Sequence, residues 1–262
     1  MTFAKTLGKI SILSGLGLFL ACSELSAQAL SADELVAKMD SLLRGTSSYM
    51  KMKMTIFNPD WSGPREIEMF AYEVVKDSKS FIRITAPARD RGTGFLKIGY
   101  NLWMFVPSTE RVMKIPPSMM HESWMGSDFT NDDLVRESSV VKDYDHKILK
   151  VEDNPQGGKN YSLELIPKPG APVVWGKILV WVWDRGYVPL KEQYFDEAGK
   201  LVNEMIFSEV QDMGGRKIPS KWEMRSMNKP GHKTEFKILE AKFDFNIEQG
   251  TFTEKNLKSK NW

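Results

Sequence analysis

The sequence predicts a mainly β protein, in which one curved antiparallel sheet or barrel carries a helix near its start and a short helical lid. Three observations support this fold class. About eleven segments alternate apolar and polar residues with the two-residue period of strands. Turn signals rich in Gly, Pro, Asn and Asp separate these segments, and one long insertion lacks the alternation.

The strand pattern is clearest in residues 49–57. Met50, Met52 and Met54 fall on one face of this segment, and lysines occupy the positions between them. An antiparallel strand with one buried face and one wet face has this alternation. Comparable runs occupy residues 66–75, 80–85, 94–98, 102–106, 161–166, 173–183, 188–195, 201–208, 220–227 and 234–245.

An amphipathic helix is predicted over residues 31–45. Ser31 is the expected N-cap residue, Glu34 completes a capping box, and Gly45 lies past the C-terminal end. The apolar residues fall at helical spacing, at Leu35, Met39, Leu42 and Leu43. We expect this stripe to pack on a flat apolar surface.

Residues 116–134 interrupt the strand pattern. Three methionines stand here with Trp124 and Phe129, among residues that commonly start helices. A segment of this kind is typical of an insertion of short helices or loop. We expect it to lie over the sheet.

The first 29 residues have the organisation of a secretory signal peptide. Lys5 and Lys9 precede an apolar run over residues 10–21, and Ala27 and Ala29 supply the small side chains that a signal peptidase requires. The run is too short to cross roughly 30 Å of hydrocarbon. We therefore expect an exported, soluble mature chain, with a short membrane anchor as the alternative.

Cys22 offers a second alternative, because residues 18–22 resemble a lipoprotein cleavage site. In such a site the cysteine becomes lipidated and tethers the protein to a membrane. Phe19 departs from the pattern, since a smaller aliphatic residue is usual there. Cleavage after Ala29 is favoured, and it leaves a mature chain without cysteine, which excludes disulfides and a cysteine nucleophile.

The charge pattern argues against a nucleic-acid partner. The 262 residues include 36 basic and 34 acidic side chains, and the formal net charge is +2. Basic and acidic residues are interleaved, whereas a nucleic-acid-binding surface usually shows a basic excess or cluster.

The sequence gives little support for an enzyme, a metal site or a cofactor. His121, His146 and His232 are far apart and have no partner at zinc-ligand spacing. Motifs for nucleotide binding, serine hydrolysis and zinc proteolysis are missing. Asp132 and Asp133 could hold a cation, but adjacent acids in a polar loop are more often helix caps. We expect neither catalysis nor a bound metal or cofactor.

Methionine is abundant, with 15 residues in the chain beside 8 tryptophans. Its unbranched, polarizable side chain suits a surface that closes around apolar partners of variable shape. Simple filling of an irregular core is the alternative for each methionine.

Two motifs resemble those of the LolA-like outer-membrane lipoprotein-sorting proteins. Leu-Trp-Met-Phe-Val-Pro (residues 102–107) is similar to a block of the lipoprotein carriers themselves. Met-Gly-Ser-Asp-Phe-Thr-Asn-Asp-Asp-Leu (residues 125–134) is similar to a divergent branch that is often linked to RND-type exporters. The resemblance covers nearly the whole mature chain.

The resemblance implies a half-closed antiparallel β-barrel of about 11 strands, with an N-terminal helix and a short helical lid, as one domain over residues 30–262. It implies a monomeric periplasmic carrier that holds acyl chains of a lipoprotein or lipid and delivers them towards the outer membrane. The partners would be an inner-membrane exporter and an outer-membrane acceptor. Lys76 and Lys79 stand where the family has an arginine that latches the lid.

The acyl-chain cavity is predicted to have a wall on the sheet and a lid in the insertion. The predicted wall residues are Met50, Met52, Met54, Met69, Ile82, Ile84, Leu96, Trp103 and Phe105. The predicted lid residues are Met119, Met120, Trp124 and Met125. The alternative function is that of an accessory protein that docks on an RND-type inner-membrane exporter and carries no lipid itself.

Overall fold

The computed structural model describes residues 1–2, 30–131, 133, 140–171 and 173–260. The expected signal peptide, Cys22 and Asp132 lie outside the described residues. In the part of the chain that is described, no helix has the length and apolar character needed to cross a membrane.

Within the described residues, thirteen antiparallel strands form one sheet. They are β1 (Ser47–Phe57), β2 (Arg65–Val74), β3 (Lys79–Ala86), β4 (Gly94–Ile98), β5 (Asn101–Val106), β6 (Arg111–Lys114), β7 (Tyr144–Asp153), β8 (Lys159–Pro167), β9 (Lys177–Trp183), β10 (Val188–Phe195), β11 (Leu201–Met213), β12 (Arg216–Ser226) and β13 (Lys233–Phe243).

The strand order is β6-β5-β4-β3-β2-β1-β13-β12-β11-β10-β9-β8-β7. The first and last strands therefore pair at the centre of the sheet, and β6 and β7 are its two edges. The connection between these edges, residues 115–143, contains the insertion that the sequence places over the sheet.

The mainly β, antiparallel class is confirmed and the sheet is not a closed barrel, but the predicted strand number is wrong. The sheet is open, because no pairing joins β6 to β7 in the described chain, and it has 13 strands rather than about 11. The two strands without a sequence signal are these edges. β6 has four residues, two of them basic, and β7 is mostly exposed and rich in charged side chains. Edge strands often carry such residues because they deter pairing with other chains.

Helix α1 (Ala32–Arg44) forms as predicted. The Ser31 hydroxyl accepts from the Glu34 amide at 3.2 Å, and the Glu34 carboxylate accepts from the Ser31 amide at 3.0 Å, which completes the capping box. Gly45 ends the helix with a φ of +62°, and an added Cβ would lie 2.7 Å from the Asp244 carboxylate. The buried apolar stripe of α1 packs on β7 to β10.

The inner face of the sheet is the face that bears Met50, Met52 and Met54. The helix α1 covers its β7 to β10 half, and the insertion covers its β1 to β5 half. The two covers leave an inner face that is buried along most of its length.

The C-terminal segment covers the outer face of β3 to β5. The C-terminal segment contains a 3₁₀ turn (Gln249–Phe252) and a short helix, α2 (Glu254–Leu257). Its apolar side chains pack on the sheet in one cluster, composed of Phe81, Leu96, Phe105, Ile247, Phe252 and Leu257.

Arg83 fastens this C-terminal cover. The side chain is fully buried on β3, and its guanidinium donates to the carbonyls of Asn256 and Leu257, each at 2.9 Å, and to that of Gly92 at 2.5 Å. Burial lowers the pKa of Arg83 to about 10, so the group stays charged at neutral pH.

Candidate functional site

A cavity of about 260 Å³ lies between the inner face of the sheet and its two covers. Its apolar lining comes from the sheet, α1 and the insertion, and includes Met39, Leu43, Met50, Met52, Met69, Ala71, Ile82, Trp124, Phe129, Met205, Phe207, Trp222, Met224 and Phe236. The loop before β9 adds Val173, Val174 and Trp175. Concave, mostly apolar spaces with a few polar groups are typical of ligand sites.

The central wall of the cavity is built by strand register. Met52 pairs with Met69, and Ala71 lies between Met50 and Ile82 on the adjoining strands. Directly opposed residues of antiparallel strands share a face, so these side chains form one continuous surface. Three of the five are methionines, which can adapt to the shape of an apolar ligand.

We call the described part of the insertion, residues 116–131, the lid. It contains two short 3₁₀ turns, Pro117–Met119 and Trp124–Gly126. Trp124 is 2% exposed, and its ring packs edge-on against Phe95 at 5.5 Å and stacks on Phe236 at 6.4 Å. Within the described residues its indole N–H has no hydrogen-bond partner. Aromatic packing therefore holds the indole in place, while the Trp124 amide donates to the Phe129 carbonyl at 2.7 Å.

Two polar contacts tie the lid to the sheet. Arg65 of β2 donates to the Met125 carbonyl at 3.1 Å and to the Asp90 carboxylate at 2.9 Å. Thr234 of β13, which is fully buried, donates to the Asp128 carboxylate at 2.8 Å and accepts from the Asp128 amide at 2.9 Å. Burial raises the pKa of Asp128, and the hydrogen bond from Thr234 opposes that rise.

A group of polar side chains interrupts the apolar lining at one end. Arg44 forms ion pairs with Asp40, at 3.3 Å, and with Glu73. Glu192 of β10 accepts a hydrogen bond from the Tyr194 hydroxyl. Burial raises the pKa of Asp40, although the neighbouring guanidinium of Arg44 opposes the rise.

Comparison with known proteins relates this architecture to a family. A family model described as uncharacterized protein-like matches residues 76–259. A LolA superfamily protein from Nitrosomonas europaea is 21% identical and superposes with a TM-score of 0.72, over 87% of this chain and 100% of that chain. The chain belongs to the family of this model, and its fold is the LolA-like fold.

Two further structures have the LolA-like fold of this protein. One is named for an outer membrane lipoprotein-sorting protein domain from Vibrio parahaemolyticus, with 22% identity, a TM-score of 0.74 and coverage of 87% of this chain and 98% of that chain. The other is a DUF1329 family protein from Desulfovibrio piger, with 23% identity, a TM-score of 0.75 and coverage of 86% and 97%. No curated protein matches the chain.

Five of the residues predicted for the site line the cavity, namely Met50, Met52, Met69, Ile82 and Trp124. Met54 and Ile84 are fully buried in the same apolar cluster, next to the lining residues. Met120 and Met125 of the lid are partly buried against that cluster, whereas Met119 is 45% exposed.

The structure places Leu96, Trp103 and Phe105 on the outer face, away from the cavity. Leu96 pairs with Phe81 on one side and with Trp103 on the other, so all of them share the face opposite to Ile82. They pack under the C-terminal segment instead. The sequence of β3 to β5 does not reveal which face of these strands lies towards the cavity, because both faces carry apolar residues.

Sequence reasoning missed the lining contributed by β11 to β13 and by α1. The signal was present, because Met205 and Phe207, like Trp222 and Met224, alternate along predicted strands. It missed the acidic side chain of Glu192 as well, since one glutamate in a strand has no distinguishing pattern.

Arg65, rather than a residue near position 76, binds the lid to the sheet. The Lys79 amine contacts Gln249 of the C-terminal segment at 3.3 Å. Asp133, which the sequence suggested as a helix cap, accepts from the amide and the hydroxyl of Thr130 at 2.7 and 2.9 Å, and its own amide donates to the Thr130 hydroxyl at 3.2 Å. This is the pattern of a capping box in which Thr130 is the cap residue and Asp133 the acid three positions later.

Replacement of Arg65 is expected to loosen the lid without unfolding the sheet. Arg65→Ala removes the donor to the Met125 carbonyl, so amide hydrogen exchange at Trp124 and Ser127 should accelerate about tenfold. The global free energy of unfolding should fall by about 1 kcal/mol or less. Arg89→Ala is the matched control, because Arg89 also pairs with Asp90, at 3.1 Å, and is largely exposed. Equal exchange rates in the two variants would show that Arg65 does not hold the lid.

Proposed function

We propose that this protein is a periplasmic carrier, which holds acyl chains of a lipoprotein or lipid in the cavity and delivers them towards the outer membrane. The observation that carries the proposal is the apolar cavity between the sheet and the lid, which the protein's own side chains leave unfilled. The lipoprotein-sorting name of one structural neighbour supports the same class of cargo. The proposal treats residues 30–262 as one exported, lipid-binding domain.

The energetics suit a carrier that must also release its cargo. Burial of a sixteen-carbon chain yields on the order of 12 kcal/mol before ordering costs, at about 0.8 kcal/mol per methylene. Trp124 and Phe129 already pack against Phe236 in the closed lid. An incoming acyl chain would replace such contacts, so the net affinity would be moderate. Transfer of the acyl chain to a more apolar acceptor would then be energetically favourable.

Native mass spectrometry of the protein purified from the periplasm tests this function. We expect a bound species whose mass corresponds to a lipid or an acylated protein, and its release by organic solvent. The delipidated protein should then take up a neutral long-chain alcohol in about a one-to-one ratio. A protein that carries no extractable acyl chain and takes up no alcohol would overturn the proposal.

One observation favours the accessory function as a second candidate. The outermost strands β7 and β8 expose three large apolar side chains, at Leu149, Val151 and Ile166, beside the open edge of the sheet. Apolar groups at an unpaired edge are typical of protein contact sites. Retention of an inner-membrane exporter subunit by a variant with a blocked cavity would favour docking over carriage.

A further inference from the structure

Glu192 is a carboxyl group that an acyl-chain cavity by itself does not explain. It lines the cavity from the inner face of β10, between Val180 on β9 and Met205 on β11, both of which are buried. The exposed part of the Glu192 side chain therefore faces the cavity. A carboxylate among apolar neighbours costs free energy unless it is hydrogen-bonded or paired with a cation.

The described residues supply little compensation for this charge. The Tyr194 hydroxyl donates to one carboxylate oxygen of Glu192, and among the described residues no lysine, arginine or histidine pairs with it. Arg44 serves two other carboxylates of the cavity, those of Asp40 and Glu73. Two carboxylates of the cavity therefore pair with Arg44, and among the described residues Glu192 forms no ion pair.

Aromatic rings lie on the same part of the wall. Trp175 and Tyr194 both line the cavity, and their ring centroids are 5.2 Å apart. The faces of such rings attract cations, and aromatic residues combined with a carboxylate are a usual arrangement for binding amines. This observation is independent of the acidic groups and favours the same kind of ligand.

We propose that the cargo is a long-chain amphiphile with a cationic amino group, which binds Glu192 and the rings of Trp175 and Tyr194 while its chain enters the methionine-lined part of the cavity. The inference rests on the proposed carrier function and narrows its cargo. A carboxylate in place of the amine would be repelled by Glu192 and Asp40, so free fatty acids would be disfavoured.

The electrostatics of the cavity agree with this assignment. Burial raises the pKa of Glu192, the hydrogen bond from Tyr194 opposes the rise, and the nearby Asp40 adds to it. A cationic group beside Glu192 would offset the burial and stabilise the ionised carboxylate.

Isothermal titration of the delipidated mature protein with dodecylamine, dodecanol and dodecanoate tests the inference, because the three probes share one chain length. We expect dodecylamine to bind about tenfold tighter than dodecanol, and dodecanoate to bind more weakly than dodecanol. Glu192→Gln should remove the preference for the amine and change dodecanol affinity by less than about threefold. Glu204→Gln is the matched control, because Glu204 pairs with Gln193 on the outer face of the neighbouring strand.

A second variant, Trp175→Leu, keeps the carboxylate and should reduce the amine preference in part. Dodecanol binding without an amine preference, or an amine preference that survives in Glu192→Gln, would overturn this inference alone. Failure of all three probes to bind would instead overturn the carrier function on which it rests.

Discussion

Ala71→Trp is expected to abolish ligand uptake while the protein stays folded. Ala71 lies on β2 in the centre of the cavity wall, between Met50 and Ile82, and its small side chain leaves the cavity open there. An indole at this position would occupy the space that an acyl chain needs. We expect the affinity for dodecanol to fall about 100-fold or more, which corresponds to a loss of about 2.7 kcal/mol.

The stability of this variant separates blockage from misfolding. Overpacking of a filled core usually costs about 1–3 kcal/mol, but a side chain that enters an existing cavity should cost about 1 kcal/mol or less. Urea unfolding measures this change in the free energy of unfolding. Val210→Trp, at a position that is 47% exposed on β11, controls for the added indole. Undiminished dodecanol affinity in a folded Ala71→Trp protein would place the ligand outside this cavity.

Arg83→Met is expected to lower the free energy of unfolding by about 3 kcal/mol. The substitution leaves the buried carbonyls of Gly92, Asn256 and Leu257 without their charged donor, so the C-terminal segment loses its main polar attachment to β3. The apolar stem of methionine fills part of the vacated space, which limits the packing loss. Urea denaturation gives the change in free energy, and faster amide exchange in α2 would locate it.

Lys79→Met is the matched control for Arg83→Met. Lys79 stands on the same strand and contacts the same C-terminal segment through Gln249, but it is partly exposed and bonded to one side-chain oxygen there. We expect its replacement to cost less than about 1 kcal/mol, as is usual for exposed polar contacts. Equal losses in the two variants would contradict the special role assigned to the buried guanidinium.

The local elements of this protein could be predicted because their signals lie within a few neighbouring residues. The capping box of Ser31 and Glu34 and the alternation of Met50, Met52 and Met54 have the structures that the sequence predicts. Both depend on hydrogen bonding and side-chain direction over one turn or one strand. The insertion that contains Trp124 was recognisable for the opposite reason, since it follows neither period.

The residues that decide the site are separated widely along the chain. Arg65 reaches the carbonyl of Met125, and Glu192 joins the cavity only because β10 lies between β9 and β11. Neither contact has a local pattern. The cavity residues of the sheet could be proposed in part, but the polar group that would select the cargo could not.

The sequence by itself determined the mainly β class, the capped first helix, the methionine-bearing central strand and the lid, since each depends on short-range periodicity or its interruption. The tertiary structure alone decided which face of β3 to β5 is inner, where the open edges lie, and that Arg83 fastens the C-terminal segment behind Leu96 and Phe105. The sequence of a strand with two apolar faces does not show which face is the inner one, because burial on either side satisfies the same alternation. In this protein, the insertion packs on one face of β3 to β5 and the C-terminal segment on the other, and this packing decides which face is inner.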